Sequence, residues 1–274
     1  MLRVLTVLMI GLSACIGSTT TTTTAPTTTT APTTTTTTTS VSSSVLWAGT
    51  QKADWYSEAN SGNADIVDVD HPELGPALKL SNYDVDGSHQ AGARINHQGF
   101  DDPTADQPTP HTGDRILPTE ATYSATFLVP FYIDGQDNAF QFKQGDGSTR
   151  RHLWNVGWKP VDGELRFIVR TRLSDNQWNS TPRELAVLDT TVPIGQPFTI
   201  DVFRRISTGP DGRYEVYIDG DLVWTFDGPT AATNLTPRPA GNQEWVLSHY
   251  LGKWQGTVDP PTSWTYITNA TITR

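Results

Sequence analysis

The sequence predicts an all-β domain, an antiparallel two-sheet sandwich or jelly roll, carried behind a secretory leader and a Thr-rich spacer. Three observations lead there. Apolar and polar residues alternate with period two through much of Val45 to Arg274. The composition is aromatic and turn-rich, with 22 Gly, 19 Pro and 9 Trp against two Met. No stretch sets apolar residues at helical spacing. About 230 residues divided into many short strands is the size expected of a sandwich closed over one core.

The leader comes first. Met1-Leu2-Arg3 gives a positive start, and Val4 to Leu12 is a nearly unbroken apolar run. That run is too short to span a bilayer, which needs about 20 residues, and it fits a secretory signal peptide instead. It ends in Leu12-Ser13-Ala14-Cys15, which resembles the lipobox of bacterial lipoproteins. That resemblance implies a signal over residues 1–14, lipidation of Cys15 and an extracellular domain held at the bacterial cell surface. The alternative is ordinary cleavage near Ala14 with Cys15 incidental. Residues 15–44 continue as a spacer of Thr, with Ala25-Pro26, Ala31-Pro32 and a Ser-rich end. Such a segment buries too little apolar surface to offset the entropy of ordering, and Thr/Pro stalks of this kind are often O-glycosylated.

The domain, residues 45–274, follows. Thr122 to Val129 places Tyr123, Ala125, Phe127 and Val129 on one face. Asn138 to Lys143 opposes Phe140 and Phe142 to Gln141 and Lys143. Glu164 to Arg172 sends Leu165, Phe167 and Val169 one way and Arg166, Ile168, Arg170 and Arg172 the other. Phe198, Ile200 and Val202 alternate in the next run. Tyr214 to Thr225 reads as a hairpin turning at Asp219-Gly220. Trp245 to Leu251 and Trp264 to Thr273 supply two more strands. Asp65, Asp68 and Asp70 read as an acidic loop or a calcium-type oxygen cluster, so a structural calcium is the one metal considered. No other cofactor is expected.

Charge narrows the function. The formal net charge is −10, and Arg3 is the only Lys or Arg before Lys52, so the domain alone is more negative still. A nucleic-acid partner is therefore not expected. A single cysteine excludes an intrachain disulfide and a cysteine-based zinc cage. Against this acidic background Arg166, Arg170 and Arg172 form a basic stripe. Gln141 with Lys143, and Arg94 with Asn96, each share a strand face. A sheet face carrying guanidinium, amide and aromatic groups suits a sugar polymer, and the local positive charge suits an acidic one.

Three runs carry a family resemblance: Asn138-Ala139-Phe140-Gln141-Phe142-Lys143, Tyr214-Glu215-Val216-Tyr217-Ile218-Asp219-Gly220, and His249-Tyr250-Leu251-Gly252-Lys253-Trp254. In order and spacing they resemble the jelly-roll polysaccharide lyases of the concanavalin A-like superfamily, heparin-lyase-like, glucuronan-lyase-like and alginate-lyase-like. The resemblance implies β-elimination on a uronate polymer, with an Arg and a Gln neutralising the substrate carboxylate and a Tyr or His moving the protons. By that likeness Arg94 and Gln141 neutralise, and Tyr250 is base and acid, with His152 and His249 as further candidates. Lys143, Asn96, Arg166, Arg170, Lys253 and Trp254 bind substrate. Lys143 stands where alginate lyases have a His, and Asn96 where the early element has a Glu. Gly252 lengthens the late Tyr-x-Lys spacing by one residue, and Gln255, Gly256 and Thr257 stand where a second Tyr would follow.

Three other readings stay open. A non-catalytic carbohydrate-binding module would use the same face without a base. A glycoside hydrolase would need paired carboxylates across the bond, and the one-strand Glu-x-Asp-x-Glu pattern is absent from the sequence. A surface adhesin for a protein partner has no motif of its own. The expected partners are an acidic polysaccharide and, through Cys15, a membrane; the domain is expected to be a monomer.

Overall fold

The computed structural model describes residues 44–60, 64–83, 91–98, 117–144, 151–174, 177–235, 243–251 and 262–274; for 56–60, 91–98 and 243 it describes the backbone only. The leader, the spacer and Cys15 lie outside these residues.

In chain order the strands are β1 (Val45–Gly49), β2 (Tyr56–Asn60), β3 (Ala64–His71), β4 (Gly75–Asn82) and β5 (Ala91–Gln98). There follow β6 (Glu120–Leu128), β7 (Asp137–Gln144), β8 (Arg151–Val161), β9 (Glu164–Ser174) and β10 (Gln177–Thr191). The last five are β11 (Pro197–Arg205), β12 (Arg213–Ile218), β13 (Asp221–Asp227), β14 (Gln243–Leu251) and β15 (Ser263–Thr273). One sheet runs β13-β12-β11-β6-β15-β4-β3, with β1 added to β15; the other runs β10-β9-β8-β7-β14-β5-β2. Every strand pair is antiparallel.

The two sheets meet through the aromatic faces that the alternation predicts. Tyr123, Ala125, Phe127 and Val129 are all fully buried. The Tyr123 ring lies 4.8 Å from Phe142 and 5.4 Å from Trp245 on the opposite sheet, edge to face. Phe198 packs 5.4 Å from Phe167 in the same way. Edge-to-face pairs add to the gain from burial because the positive rim of one ring meets the negative face of the other.

One local reading changes. Asp65, Asp68 and Asp70 lie on β3, not on a loop. That strand forms a sheet edge, where charges keep unpaired backbone groups from pairing with another chain. Asp68 accepts the Lys52 N–H at 2.7 Å. Among the described residues no group of three or more His, Cys, Asp and Glu is placed to hold a metal. The Asp219-Gly220 turn forms as expected, with φ of 51° and 86° at the two residues.

Candidate functional site

The site begins with an irregularity in β7. Asp137 pairs with Trp158, but Phe140 pairs with Val156, so three steps on β7 match two on β8. Gly157 makes this fit: a Cβ there would stand 2.1 Å from the Asp137 carbonyl oxygen. The bulge turns the Asn138 carbonyl out of the ladder, where it accepts from Gln141 Nε2 at 2.8 Å and from the Ser248 hydroxyl. Gln141 Nε2 also donates to Ser248 Oγ at 2.7 Å.

This fixes which way the Gln141 amide faces. A backbone carbonyl only accepts, so the nitrogen must point at it and the oxygen must point away. Oε1 is buried without a partner among the described residues, and so is Oδ1 of Asn155, the register partner of Gln141 on β8. Two buried acceptors on adjacent strands call for donors from a ligand or water.

Around them is a groove of about 410 Å³. β7 contributes Asn138 and Gln141, β8 contributes His152 and Asn155, β9 contributes Arg170 and Arg172, and β14 contributes Tyr250. Arg170 Nη1 lies 3.4 Å from Asn138 Oδ1, and Arg172 donates to the Ser180 carbonyl. Burial and then the charge of Arg172 lower the pKa of Arg170, with Glu184 acting in the opposite direction. Burial and Arg151 do the same to Arg172. Cations that crowd one another in a half-buried wall are stabilised by an arriving anion.

Gln141, Tyr250, His152 and Arg170 thus come together, and Arg94 and Asn96 pair in register with Ser248 and Val246 of β14, beside the same floor. The side chains of Arg94 and Asn96, and all of Lys253, Trp254 and Cys15, lie outside what is described. Three candidates are placed elsewhere. His249, next to Tyr250 on the strand, points to the opposite face and is fully buried between Asp137 and Ser263. Lys143 is buried against Glu244 at 3.5 Å. Arg166 stands toward the other end of β9, 3.3 Å from Glu164 and 3.8 Å from Asp189. Sequence reasoning did not single out Asn138, Asn155 or Ser248. Asn138 opens the first resembling run without a role of its own there, Asn155 and Ser248 stand in no motif, and only the bulge and the register bring them to Gln141.

No family model matches the sequence, and no curated protein does. Solved structures do match. The endo-β-1,4-glucuronan lyase of the fungus Trichoderma reesei superposes with a TM-score of 0.59 at 12% identity, over 84% of this chain and 95% of that one. Alginate lyase vAL-1 from Chlorella virus gives 0.57 at 11% identity, over 84% and 100%. The chain has the jelly-roll fold of polysaccharide lyases. The same fold carries other chemistry: a family 16 glycoside hydrolase, an endo-glucanase from Bacteroides ovatus, gives 0.52 at 13% identity, over 83% and 100%. The lyase-like fold therefore leaves the activity to be argued from the groove.

Proposed function

We propose that the protein is an extracellular lyase that cleaves a uronate-containing polysaccharide by β-elimination. The observation that carries this reading is the single groove shared by Tyr250, His152, Gln141 and the paired arginines Arg170 and Arg172. Removing the proton at C5 of a uronate places charge on its carboxylate, and that charge must be met by fixed donors. The orientation of Gln141 gives this task to guanidinium groups, Arg170 and Arg172 and by register Arg94, while Gln141 Oε1 and Asn155 Oδ1 accept from sugar hydroxyls. Tyr250, as phenolate, takes the C5 proton, the electron pair forms the C4–C5 double bond, the C4–O bond breaks, and the phenol so formed returns its proton to the departing oxygen. His152 stands in the same groove as the alternative proton carrier.

The kinetic test compares Tyr250→Phe with His152→Ala on a uronate polymer. Tyr250→Phe loses turnover by roughly 10²–10⁴-fold, the usual contribution of a proton-transfer group, and still binds oligosaccharide. Undiminished turnover removes Tyr250 from the chemistry. A second reading, a carbohydrate-binding module without catalysis, draws support from Lys143, which is engaged by Glu244 instead of facing the groove as the lyase His would. In that case the wild-type chain binds the polymer and leaves it whole.

A further inference from the structure

Behind the groove lies a buried chain of polar groups that the elimination does not use. Asp137, His249 and Ser263 are all fully buried. Asp137 Oδ2 is 2.5 Å from His249 Nδ1, and His249 Nε2 is 2.8 Å from Ser263 Oγ. An ionised carboxylate only accepts, so Nδ1 carries a proton toward it. Aspartate, histidine and serine in this order make a hydrolase triad elsewhere. Here no member reaches the surface, and a serine that no substrate can approach is not a nucleophile.

The chain ends instead on the strand that bears Tyr250. The second Asp137 oxygen, Oδ1, accepts the Tyr250 backbone N–H at 2.8 Å. Asn82 Nδ2 donates to the His249 carbonyl at 2.8 Å. These two backbone groups belong to one peptide unit, the one joining His249 to Tyr250. Buried side chains from both sheets therefore hold it at its two polar ends. The β7–β14 ladder is registered only from Gln243 to Leu247, so Asp137 serves the segment beyond it. Asn82 and Ser263 are register partners on β4 and β15, so one gripping point on the far sheet holds both the His249 carbonyl and the His249 ring.

We propose that Asp137, braced by His249, Ser263 and Asn82, is the positioning residue that sets how Tyr250 enters the groove. The proposal rests on Tyr250 being the proton-transfer group. Asp137 itself touches no substrate; it acts through the peptide it holds. Small displacements of a reacting group cost about 10²-fold in rate, whereas binding along the rest of the groove is unaffected.

The test uses the full chain with Asp137→Asn and Ser263→Ala. The first loses a carboxylate charge at the peptide and the second frees only the far end of the relay. Asp137→Asn lowers kcat roughly 10- to 100-fold with KM for the polymer unchanged, and Ser263→Ala lowers kcat less, again at constant KM. If Asp137→Asn does not fold, Ser263→Ala carries the measurement alone. Wild-type kcat in the folded variants, or a loss confined to KM, overturns the proposal. If the wild-type chain cleaves no uronate polymer, the lyase reading fails separately, and the positioning claim is read by NMR of labelled tyrosine. Tyr250 ring resonances that shift in the folded variants support it, and resonances that stay at their wild-type positions overturn it.

Discussion

Gly157 shows how much of the site depends on the absence of a side chain. A Cβ at that position would press on the Asp137 carbonyl, and the bulge at Asp137 and Asn138 would have to move. Gln141, Ser248 and Tyr250 all donate hydrogen bonds to acceptors at that bulge. The sequence put Gln141 and Phe142 on opposite faces correctly, because alternation decides faces. It could not show which end of the amide the groove receives, since that follows from a carbonyl freed by the bulge. Arg204 was hidden for a related reason: it shares the parity of Phe198, Ile200 and Val202, yet a guanidinium at that position does not look like core. It is fully buried, with its centre 4.7 Å from the Phe142 ring centroid and Nη2 donating to the Thr230 carbonyl at 2.9 Å. Burial pushes its pKa down to about 10. Taking a cation out of water costs several kcal/mol, against which its contacts with the Phe142 ring and the Thr230 carbonyl act. Arg204→Met, which keeps most of the volume and removes the charge, should leave the unfolding free energy within about 1 kcal/mol of wild type or raise it. A loss of more than about 2 kcal/mol in denaturant titration would show that the cation is a net stabiliser.

Strands with strict alternation and a buried face were legible, and those that depart from it were not. β6, β9, β11 and β15 are recognisable because one face is core and the other is wet. β8 hides its period behind the shift that pairs Phe142 with Trp154 but Lys143 with His152. β10 and β3 lie at sheet edges, where exposed Thr, Ser, Asn and Asp satisfy the edge but read as loop. The sheets also carry cross-strand charge pairs at their surface. Glu120 and Arg205 are register partners on β6 and β11, with Arg205 Nε 2.8 Å from Glu120 Oε2. The hydrogen bond from Arg205 holds the Glu120 carboxyl below its ordinary 4.5. A carboxyl whose folded pKa is depressed adds stability above its unfolded pKa and loses it as pH falls through the folded value. Glu120→Gln should therefore melt slightly below wild type at neutral pH and together with it in acid, the difference being small because both groups are about half exposed. Equal melting at neutral pH would mean that the pair contributes nothing.

At the scale of the molecule, charge has to be read locally. A chain of net charge −10 turns Arg170 and Arg172 toward one groove, so the local charge there is opposite in sign to that of the molecule as a whole. The fold class was legible because size and period admit few other closures, and the groove was legible in part because Gln141, Arg170 and Tyr250 sit on the polar faces of predicted strands. His249 and Lys143 were misplaced by the same reasoning: parity and sequence neighbours cannot show that a buried carboxylate waits beside them. We propose that the leader ends at Ala14 and that Cys15 carries the lipid that tethers the domain through its Thr-rich spacer. Cys15→Ser should then move the protein from the membrane fraction to the soluble extracellular fraction of a bacterial host, and an unchanged membrane fraction would count against the anchor. The most direct test of the whole account is ultraviolet absorbance of the wild-type domain with glucuronan, alginate and heparin. β-Elimination conjugates a new double bond with the uronate carboxylate, so the account predicts rising absorbance with at least one of the three polymers. Binding to these polymers with flat absorbance throughout would contradict it.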